Sequence, residues 1–195
     1  MEKMKNLEKN STLQEYFDLE EFSESRHQFH KGKIQEMESG TANHNRISGS
    51  LTALLMDCLE KEICEVFFIG LRVQAQNEFF TYPDIFVVCG EIKFYENRQD
   101  TISNPKVIFD VLSESTKDYD RGTKFMLYRS LESLTDYVLV SQSEVRIEHF
   151  HKDEKGVWSL KEIVSLEDFF SLNSPNCEVA VKKIYERVDF SLLEN

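Results

Sequence analysis

The most constraining feature of this sequence is an apolar segment with one acidic residue at its centre. Residues Val107 to Ser113 read Val-Ile-Phe-Asp-Val-Leu-Ser, and Asp110 is the only charged residue among them. Because the apolar residues are continuous rather than alternating, we expect a strand that is buried on both faces. An ionised carboxylate there is costly unless a cation lies beside it. The sequence therefore predicts a bound metal ion, a lysine, or both next to Asp110.

A second apolar segment carries a carboxylate in the same way. Residues Tyr82 to Cys89 read Tyr-Pro-Asp-Ile-Phe-Val-Val-Cys, with Asp84 near the start. If the two strands are neighbours, Asp84 and Asp110 meet at one edge of a sheet. Proteins usually offer Mg²⁺ one or two carboxylates, and the ion activates water and stabilises phosphoryl charge. The pair predicts a metal-dependent phosphodiesterase site. The alternatives are a turn role for Asp84 after Pro83 and a plain ion pair for Asp110.

The helix predicted after the second strand, from Asp120 to about Ser130, offers a cation. Arg121, Lys124 and Tyr128 stand at positions i, i+3 and i+7, hence on one helix face. Lys124 could orient the attacking water or stabilise the charge that develops on the phosphoryl group. A lysine on a helix is otherwise simply solvated.

Two regions upstream could complete the site. His44 lies in the first turn of the longest predicted helix, residues 43–62, where it could contact a phosphate or merely cap the helix. Gln28, Glu36 and Glu38 flank the same helix. The residues themselves do not choose which of the three adds a ligand.

A histidine pair lies on another predicted strand. Residues two apart on a strand share a face, so His149 and His151 could bind a metal together. No third ligand stands out beside them, and we interpret both as exposed residues of a hairpin.

Length and hydropathy indicate the organisation of the chain. Of its 195 residues, we expect 1–10 to be a flexible N-terminus and 11–195 to form one domain. No apolar run approaches the ~20 residues of a membrane helix, and no signal peptide is expected. The four cysteines form no C-x-x-C pair. We expect reduced thiols in a cytoplasmic protein that has no membrane partner.

The net charge and the motifs exclude several classes of protein. A formal charge of −12 argues against broad nucleic-acid binding, which needs a basic surface. A nuclease is still compatible, because a small site with bound metal ions can be locally positive. The sequence has no glycine-rich phosphate loop, G-x-S-x-G, H-E-x-x-H or zinc pattern. This disfavours serine hydrolases and nucleotide hydrolases of the loop-and-lysine type.

The predicted elements are those of an α/β (α+β) chain. Ser11 to Gln14 has the form of a capping box before a short amphipathic helix, and residues 27–37 read as a hairpin. Six motifs then occur in a characteristic order. They are Gly32-Lys33-Ile34 with Met37; Asn43-His44-Asn45-Arg46-Ile47; Tyr82-Pro83-Asp84; Val111-Leu112-Ser113 with Ser115-Thr116; Asp120-Arg121 with Lys124 and Tyr128; and Asp136-Tyr137-Val138-Leu139-Val140.

This ordered set, which spans roughly residues 13–170, resembles the Uma2-type restriction endonuclease family, a branch of the PD-(D/E)XK nuclease superfamily. The resemblance implies a restriction-endonuclease-like mixed β-sheet flanked by helices, with an N-terminal helix and hairpin. It implies that Asp84 and Asp110 are catalytic carboxylates that hold the metal. The superfamily's lysine usually falls at the position of Leu112, and in this branch it is moved to Lys124. The second tier would comprise Gln28, His44, Arg121 and Tyr128.

Two residues depart from the family pattern. Asp110 stands where the family usually has Glu, which shortens the reach by one methylene. Gln28 stands where a Glu tends to precede the aromatic residue of the first hairpin, and an amide brings no charge. These changes could weaken metal binding or mark a degenerate copy.

Three functions follow as hypotheses. The first is a DNA endonuclease that hydrolyses phosphodiester bonds with Mg²⁺ or Mn²⁺, acting as a homodimer as this superfamily often does. The second is a catalytically degenerate nuclease-fold protein that serves as a binding or assembly module, which the net charge and the two departures favour. The third is a small-molecule phosphodiesterase that uses the same residues.

Overall fold

The computed structural model of the protein describes residues 10–38, 40–76 and 78–193. Within them the chain forms two six-stranded sheets and a two-stranded hairpin, with helices packed against the sheets. The predicted α/β (α+β) class is therefore confirmed. The expected flexible N-terminus falls, for residues 1–9, outside the described part of the chain.

The helices and strands follow one another along the chain. They are α1 (Leu13–Phe22), β1 (His27–His30), β2 (Lys33–Glu36), α2 (Ala42–Cys58), β3 (Cys64–Phe68), β4 (Arg72–Ala75), β5 (Phe79–Thr81), β6 (Ile85–Cys89), β7 (Phe94–Tyr95), β8 (Arg98–Ile102), β9 (Val107–Leu112), α3 (Lys117–Tyr119), a π-helical segment (Asp120–Lys124), α4 (Phe125–Tyr128), β10 (Asp136–Ser141), β11 (Ile147–Lys152), β12 (Trp158–Ile163), β13 (Phe169–Asn173), β14 (Asn176–Ala180), α5 (Val181–Tyr185) and a 3₁₀ turn (Phe190–Leu193).

The central sheet is mixed and has the strand order β12-β11-β10-β9-β6-β3. Its two middle strands, β9 and β10, run parallel and are buried along their whole length, as the continuous apolar run predicts. Strand β6 pairs antiparallel with β9, with Ile85 opposite Phe109. The two acidic segments are therefore neighbours.

Both faces of the central sheet are covered. One face packs against α2, α5 and the β13–β14 hairpin, through residues such as Leu51, Ile184 and Phe170. The opposite face packs against α4 and the second sheet, through residues such as Phe125 and Phe79. Two apolar cores on the two sides of one sheet explain why its central strands carry no alternating pattern.

The second sheet has the order β2-β1-β5-β4-β8-β7 and contains the predicted N-terminal hairpin. Helix α1 packs on it through Tyr16 and Phe17. The capping box of α1 is one residue later than predicted. Thr12 accepts from the Glu15 amide, and the Glu15 carboxylate accepts from the Thr12 amide.

The predicted strand from Tyr82 to Cys89 is interrupted, which corrects the sequence-based interpretation. Strand β5 ends at Thr81 in the second sheet, and β6 begins at Ile85 in the central sheet. Pro83 has no amide hydrogen with which to continue a ladder. The chain changes sheets at this point, and Asp84 lies at the junction between them.

The predicted helix around Lys124 is present but is not a regular α-helix. Residues 117–128 are helical throughout, and their middle turn is the π-helical segment. Such wide turns are rare and are frequent at functional sites. The i, i+3, i+7 spacing predicted for Arg121, Lys124 and Tyr128 consequently does not define one face.

The four cysteines are paired, which contradicts the expectation of reduced thiols. Cys58 of α2 is bonded to Cys177 of β14, and Cys64 of β3 to Cys89 of β6, so none is free. The pairs are 119 and 25 residues apart in sequence, a separation that no local spacing rule detects. The cytoplasmic location rested on free thiols and stays a prediction. Among the described residues, no helix is long and apolar enough to cross a membrane.

Candidate active site

The junction between the sheets joins the two predicted carboxylates. The Val111 amide donates to Asp84 Oδ2 at 2.7 Å, and the Asp84 amide approaches Asp110 Oδ1 at 3.4 Å. These bonds link the turn before β6 to the end of β9. The backbone itself therefore sets the position of Asp84 relative to Asp110.

Asp110 is buried, and its other oxygen has two partners. Lys124 Nζ lies 2.8 Å from Asp110 Oδ2, and the Tyr137 hydroxyl donates to the same oxygen at 2.8 Å. Tyr137 belongs to β10, which is parallel to β9. The cation predicted beside Asp110 is thus present as Lys124.

The π-helical segment places a further carboxylate beside this lysine. Lys124 Nζ is 3.3 Å from Asp120 Oδ1, and both side chains are buried. Tyr128, one turn later, is buried with its ring centroid 5.8 Å from Lys124 Nζ. One ammonium group therefore faces two carboxylates in the interior.

The electrostatics of this group show an excess of negative charge. Burial raises the pKa of Asp110 to about 6, and the charges of Asp120 and Asp84 add to the rise, although Lys124 opposes it. Burial lowers the pKa of Lys124, but Asp110 and Asp120 hold it well above its usual value. At neutral pH Asp110 is ionised and Lys124 is a cation.

His44 contacts Asp84, the more exposed of the two carboxylates. Thr41 caps α2 by accepting from the His44 amide at 3.1 Å, and the imidazole Nε2 is 3.1 Å from Asp84 Oδ1. Burial lowers the pKa of His44, but the hydrogen bond with Asp84 and the charges of Asp84 and Asp110 raise it overall. His44 therefore contacts the candidate metal ligand Asp84, and the cap of α2 is Thr41 rather than His44.

Gln28 reaches the same region from the first hairpin. It is buried and accepts a hydrogen bond from the Tyr119 hydroxyl at 3.2 Å. Its amide nitrogen donates to Gln35 Oε1 at 2.6 Å. Glu36 and Glu38 also line the cavity described below, and Glu38 accepts from the Ser115 hydroxyl.

Arg121 is oriented differently from Lys124. Its guanidinium makes a two-pronged ion pair with Glu148 on β11, with the closest atoms 2.6 Å apart. The π-helical turn separates the two cations, which a regular helix would bring onto one face. Arg121 still lines the cavity described below.

An open cavity of about 1430 Å³ adjoins the group. Asp84, Asp110, Lys124, His44 and Gln28 all line it. Its wall also includes the Ser113–Thr116 turn and one side of α2 from His44 to Met56. This volume is ample for a segment of a phosphodiester chain.

The donor set fits a hard divalent cation. Asp84 and Asp110 offer carboxylate oxygens, and within the described part of the chain the hydrogen bond of Asp110 Oδ1 is the long 3.4 Å contact with the Asp84 amide. Burial is the main cause of the raised pKa of Asp110, and the negative charges of Asp120 and Asp84, which exceed the charge of Lys124 in number, add to it. A bound dication would offset that excess.

The two C-terminal histidines lie outside this group, and the interpretation of both as exposed is wrong. His149 is buried, and His151 is one-third exposed. Both contact Asp136.

Sequence reasoning placed three buried polar residues in no functional site. Asp120 could have been recognised from its i, i+4 spacing to Lys124. No local signal connects Tyr137 with Asp110, or Asp136 with the histidines, because each pair is joined only by strand pairing.

Comparison of this chain with known proteins identifies its family and a solved structure with the same fold. The family model Uma2, described as "Putative restriction endonuclease", matches residues 13–181. Two proteins of Synechocystis sp. (strain ATCC 27184 / PCC 6803 / Kazusa) are similar. "Uncharacterized protein sll1609" is 34% identical over 154 residues, covering 78% of this chain and 87% of its own length. "Uncharacterized protein slr1290" is 35% identical over 180 residues, covering 91% and 92%.

A solved structure shares the fold. The crystal structure of "a putative nuclease belonging to DUF820" from Anabaena variabilis ATCC 29413 superposes with a TM-score of 0.70. The match covers 84% of this chain and 92% of that one, at 16% sequence identity. At this identity the likeness concerns the fold alone.

Proposed function

This chain belongs to the Uma2 family of restriction-endonuclease-like proteins, and we propose that it is a divalent-metal-dependent endonuclease that hydrolyses phosphodiester bonds in DNA. The family and the fold of the structural neighbour support a nuclease. The observation that carries the proposal is the convergence of Asp84, Asp110 and Lys124 at the wall of one open cavity.

Asp84 and Asp110 would hold Mg²⁺ or Mn²⁺. Oxygen ligands suit these ions, and one or two carboxylates leave coordination positions for water and phosphate. When bound, the cation supplies Lewis-acid polarisation of the phosphodiester and lowers the pKa of water. The Val111 amide and the Tyr137 hydroxyl orient the two carboxylates before any substrate arrives.

Lys124 contributes charge rather than a basic group. Its pKa is held well above the usual value, so it keeps its proton at neutral pH. A preorganised ammonium in a dry site stabilises the extra negative charge of a phosphoryl transition state. Asp120 and Asp110 hold it in place.

The second tier would bind and orient the phosphate chain. His44 is partly exposed and has a raised pKa, so its cationic form is favoured near the acidic pair, where it can contact a phosphate oxygen. Gln28 and Arg121 also line the cavity and offer an amide group and a guanidinium group. Tyr128 packs beneath Lys124 and supports it.

The proposal is tested with a DNA nicking assay. Supercoiled plasmid and single-stranded DNA are incubated with the protein and millimolar Mg²⁺ or Mn²⁺, with EDTA as the blank. The parent should convert supercoiled to nicked or linear DNA only with the metal. Asp84→Asn should remove the activity, and Lys124→Met should lower it at least about 100-fold.

The matched control is Asp57→Asn, which alters an exposed carboxylate on α2 outside the cavity wall. It should cut DNA like the parent. Equal activity in all variants would assign the cleavage to a contaminant. Equal loss in the control and in Asp84→Asn would show that the loss is not specific to the candidate site.

A binding module is the second candidate, favoured by the direct Lys124–Asp110 contact. The Asp110 carboxylate, 2.8 Å away, offsets the positive charge of Lys124, so the ammonium group attracts a substrate phosphate less strongly. Metal-independent DNA binding without cleavage by the parent would support this role. Cleavage of bis-p-nitrophenyl phosphate but not of DNA would support a small-molecule phosphodiesterase.

A further inference from the structure

A second cluster of ligand atoms lies away from the candidate active site. In the described ranges 10–38, 40–76 and 78–193, one group of three or more His, Cys, Asp or Glu side chains places its ligand atoms within 4.8 Å of one another. It consists of Asp136, His149 and His151. None of the three lines the cavity of the candidate nuclease site.

Strand pairing brings the cluster together. Asp136 on β10 lies directly opposite His151 on β11, and His149 is two residues away on the same face. His149 Nε2 and His151 Nδ1 lie 2.7 and 2.8 Å from one atom, Asp136 Oδ1. An antiparallel strand pair is a rigid frame, so the three donors are preorganised.

The surroundings orient the carboxylate. The Thr135 hydroxyl donates to Asp136 Oδ2 at 2.7 Å, which leaves Oδ1 facing both imidazoles. A partner bound to the second oxygen of a ligating carboxylate is a usual feature of metal sites. The Phe170 ring packs edge-on to His149, with centroids 5.2 Å apart, and shields that side from water.

We propose that Asp136, His149 and His151 form a site for a borderline divalent transition metal, with Zn²⁺ as its best occupant. Two imidazole nitrogens and one carboxylate oxygen suit zinc, and two nitrogen ligands disfavour Mg²⁺. Metal–ligand bonds of about 2.0–2.2 Å place tetrahedral ligand atoms roughly 3.3 Å apart. The two nitrogen–oxygen separations, 2.7 and 2.8 Å, need to open by only about half an ångström, and all three ligand atoms lie within 4.8 Å of one another.

The same geometry satisfies hydrogen bonds in the absence of metal. Each imidazole can donate to Asp136 Oδ1, so the apo site costs little to bury. Binding zinc replaces both hydrogen bonds and moves each imidazole proton to the other ring nitrogen. His151 is one-third exposed, so solvent provides the route of entry and the fourth ligand.

The site ties β10 to β11 and is independent of the proposed nuclease activity. Asp136 and Tyr137 are consecutive and point to opposite faces of the sheet. Tyr137 donates to Asp110, whereas Asp136 faces the histidines. Zinc would therefore stabilise the hairpin without entering the active-site cavity.

Isothermal titration with ZnCl₂ and MgCl₂ tests the proposal on metal-free, untagged protein. The parent should bind one Zn²⁺ that excess Mg²⁺ does not displace. His151→Gln, at a partly exposed position, should weaken this binding at least tenfold. Thr135→Val should weaken it about tenfold through loss of the orienting hydrogen bond. Asp84→Asn is the control and should keep the zinc.

Three results would overturn the proposal: no zinc binding by the parent, zinc that survives His151→Gln, or zinc lost in Asp84→Asn alone. If His151→Gln fails to fold, the parent decides by NMR. Zn²⁺ should then shift the imidazole signals of two of the five histidines. A shift confined to other histidines rejects the site. Nicking of DNA with Mg²⁺ should be unchanged in folded His151→Gln, so the two proposals can fail separately.

Discussion

At the level of single residues, the main feature of this molecule is a group of buried charges. Asp110, Asp120 and Lys124 are all buried, and one ammonium faces two carboxylates. Removing such charges from water costs free energy that only close pairing returns. The region is therefore a place where stability depends on ionisation.

Ionisation of Asp110 should make the metal-free protein less stable as pH rises. Its folded pKa of about 6 exceeds the ordinary value of 3.8, so between these values the folded state binds more protons than the unfolded state. The contribution of Asp110 is full below pH 4 and falls through pH 6, by up to about 3 kcal/mol. Asp110→Asn cannot titrate and removes this dependence.

Urea unfolding of both proteins in EDTA from pH 4 to pH 7 measures the effect. The free energy of unfolding of the parent, minus that of Asp110→Asn, should decline across this range. Parallel curves would show that Asp110 titrates normally.

Removal of the lysine should be costly because it leaves the carboxylates unpaired. Lys124→Met should lower the free energy of unfolding by about 3–5 kcal/mol at pH 7. Asp110→Asn added to it should restore part of the loss. The control is Lys61→Met at an exposed position, expected within about 0.5 kcal/mol of the parent. Equal effects of Lys124→Met and Lys61→Met in urea unfolding would contradict a buried charge pair.

At the level of secondary structure, the candidate active site lies where two elements are irregular. The chain changes sheets at Pro83 and Asp84, and the helix that carries Lys124 widens to a π-turn. Hydropathy predicted the existence of these elements and missed both irregularities. A periodic pattern indicates which face of a strand is buried. It does not indicate which other strands will pair with it, and that pairing decides where the chain changes sheets.

Two glycines in different backbone conformations should respond oppositely to alanine. Gly49 lies within α2, with no atom within 4 Å of an added Cβ, so Gly49→Ala should stabilise the protein by about 0.5–1 kcal/mol. Gly70 has a φ of +85° in the turn between β3 and β4. There the same change should destabilise by about 1–2 kcal/mol. Thermal unfolding compares the two, and a shift of equal sign would contradict the assigned backbone conformations.

Long-range links define the whole molecule. The Cys58–Cys177 bond joins α2 to the C-terminal hairpin, and Cys64–Cys89 joins the edge strand β3 to β6. The cavity of the candidate active site is lined by residues from Glu24, before the first hairpin, to Arg146 in the β10–β11 connection. Its geometry therefore depends on most of the chain.

Reduction of the disulfides should weaken the whole fold. Closing chain loops of these lengths stabilises by about 3–5 kcal/mol per bond, so urea unfolding should shift to lower denaturant when TCEP is present. Thiol titration of the denatured protein should find no free thiol before reduction and four afterwards. Four thiols before reduction would mean that the pairs do not form. A variant with all four cysteines replaced by alanine should not respond to TCEP.

The sequence alone determined the family, the fold class, the two acidic apolar segments and the residues proposed for the active site. These features are visible in the sequence itself. They are the continuous apolar segments, the Pro83-Asp84 pair and the order of the motifs. Only the tertiary structure decided that Lys124 contacts Asp110, that Arg121 pairs with Glu148, that the cysteines are bonded and that Asp136 meets two histidines. These contacts join residues from different elements, and their distances depend on strand register and helix winding, which hydropathy does not encode.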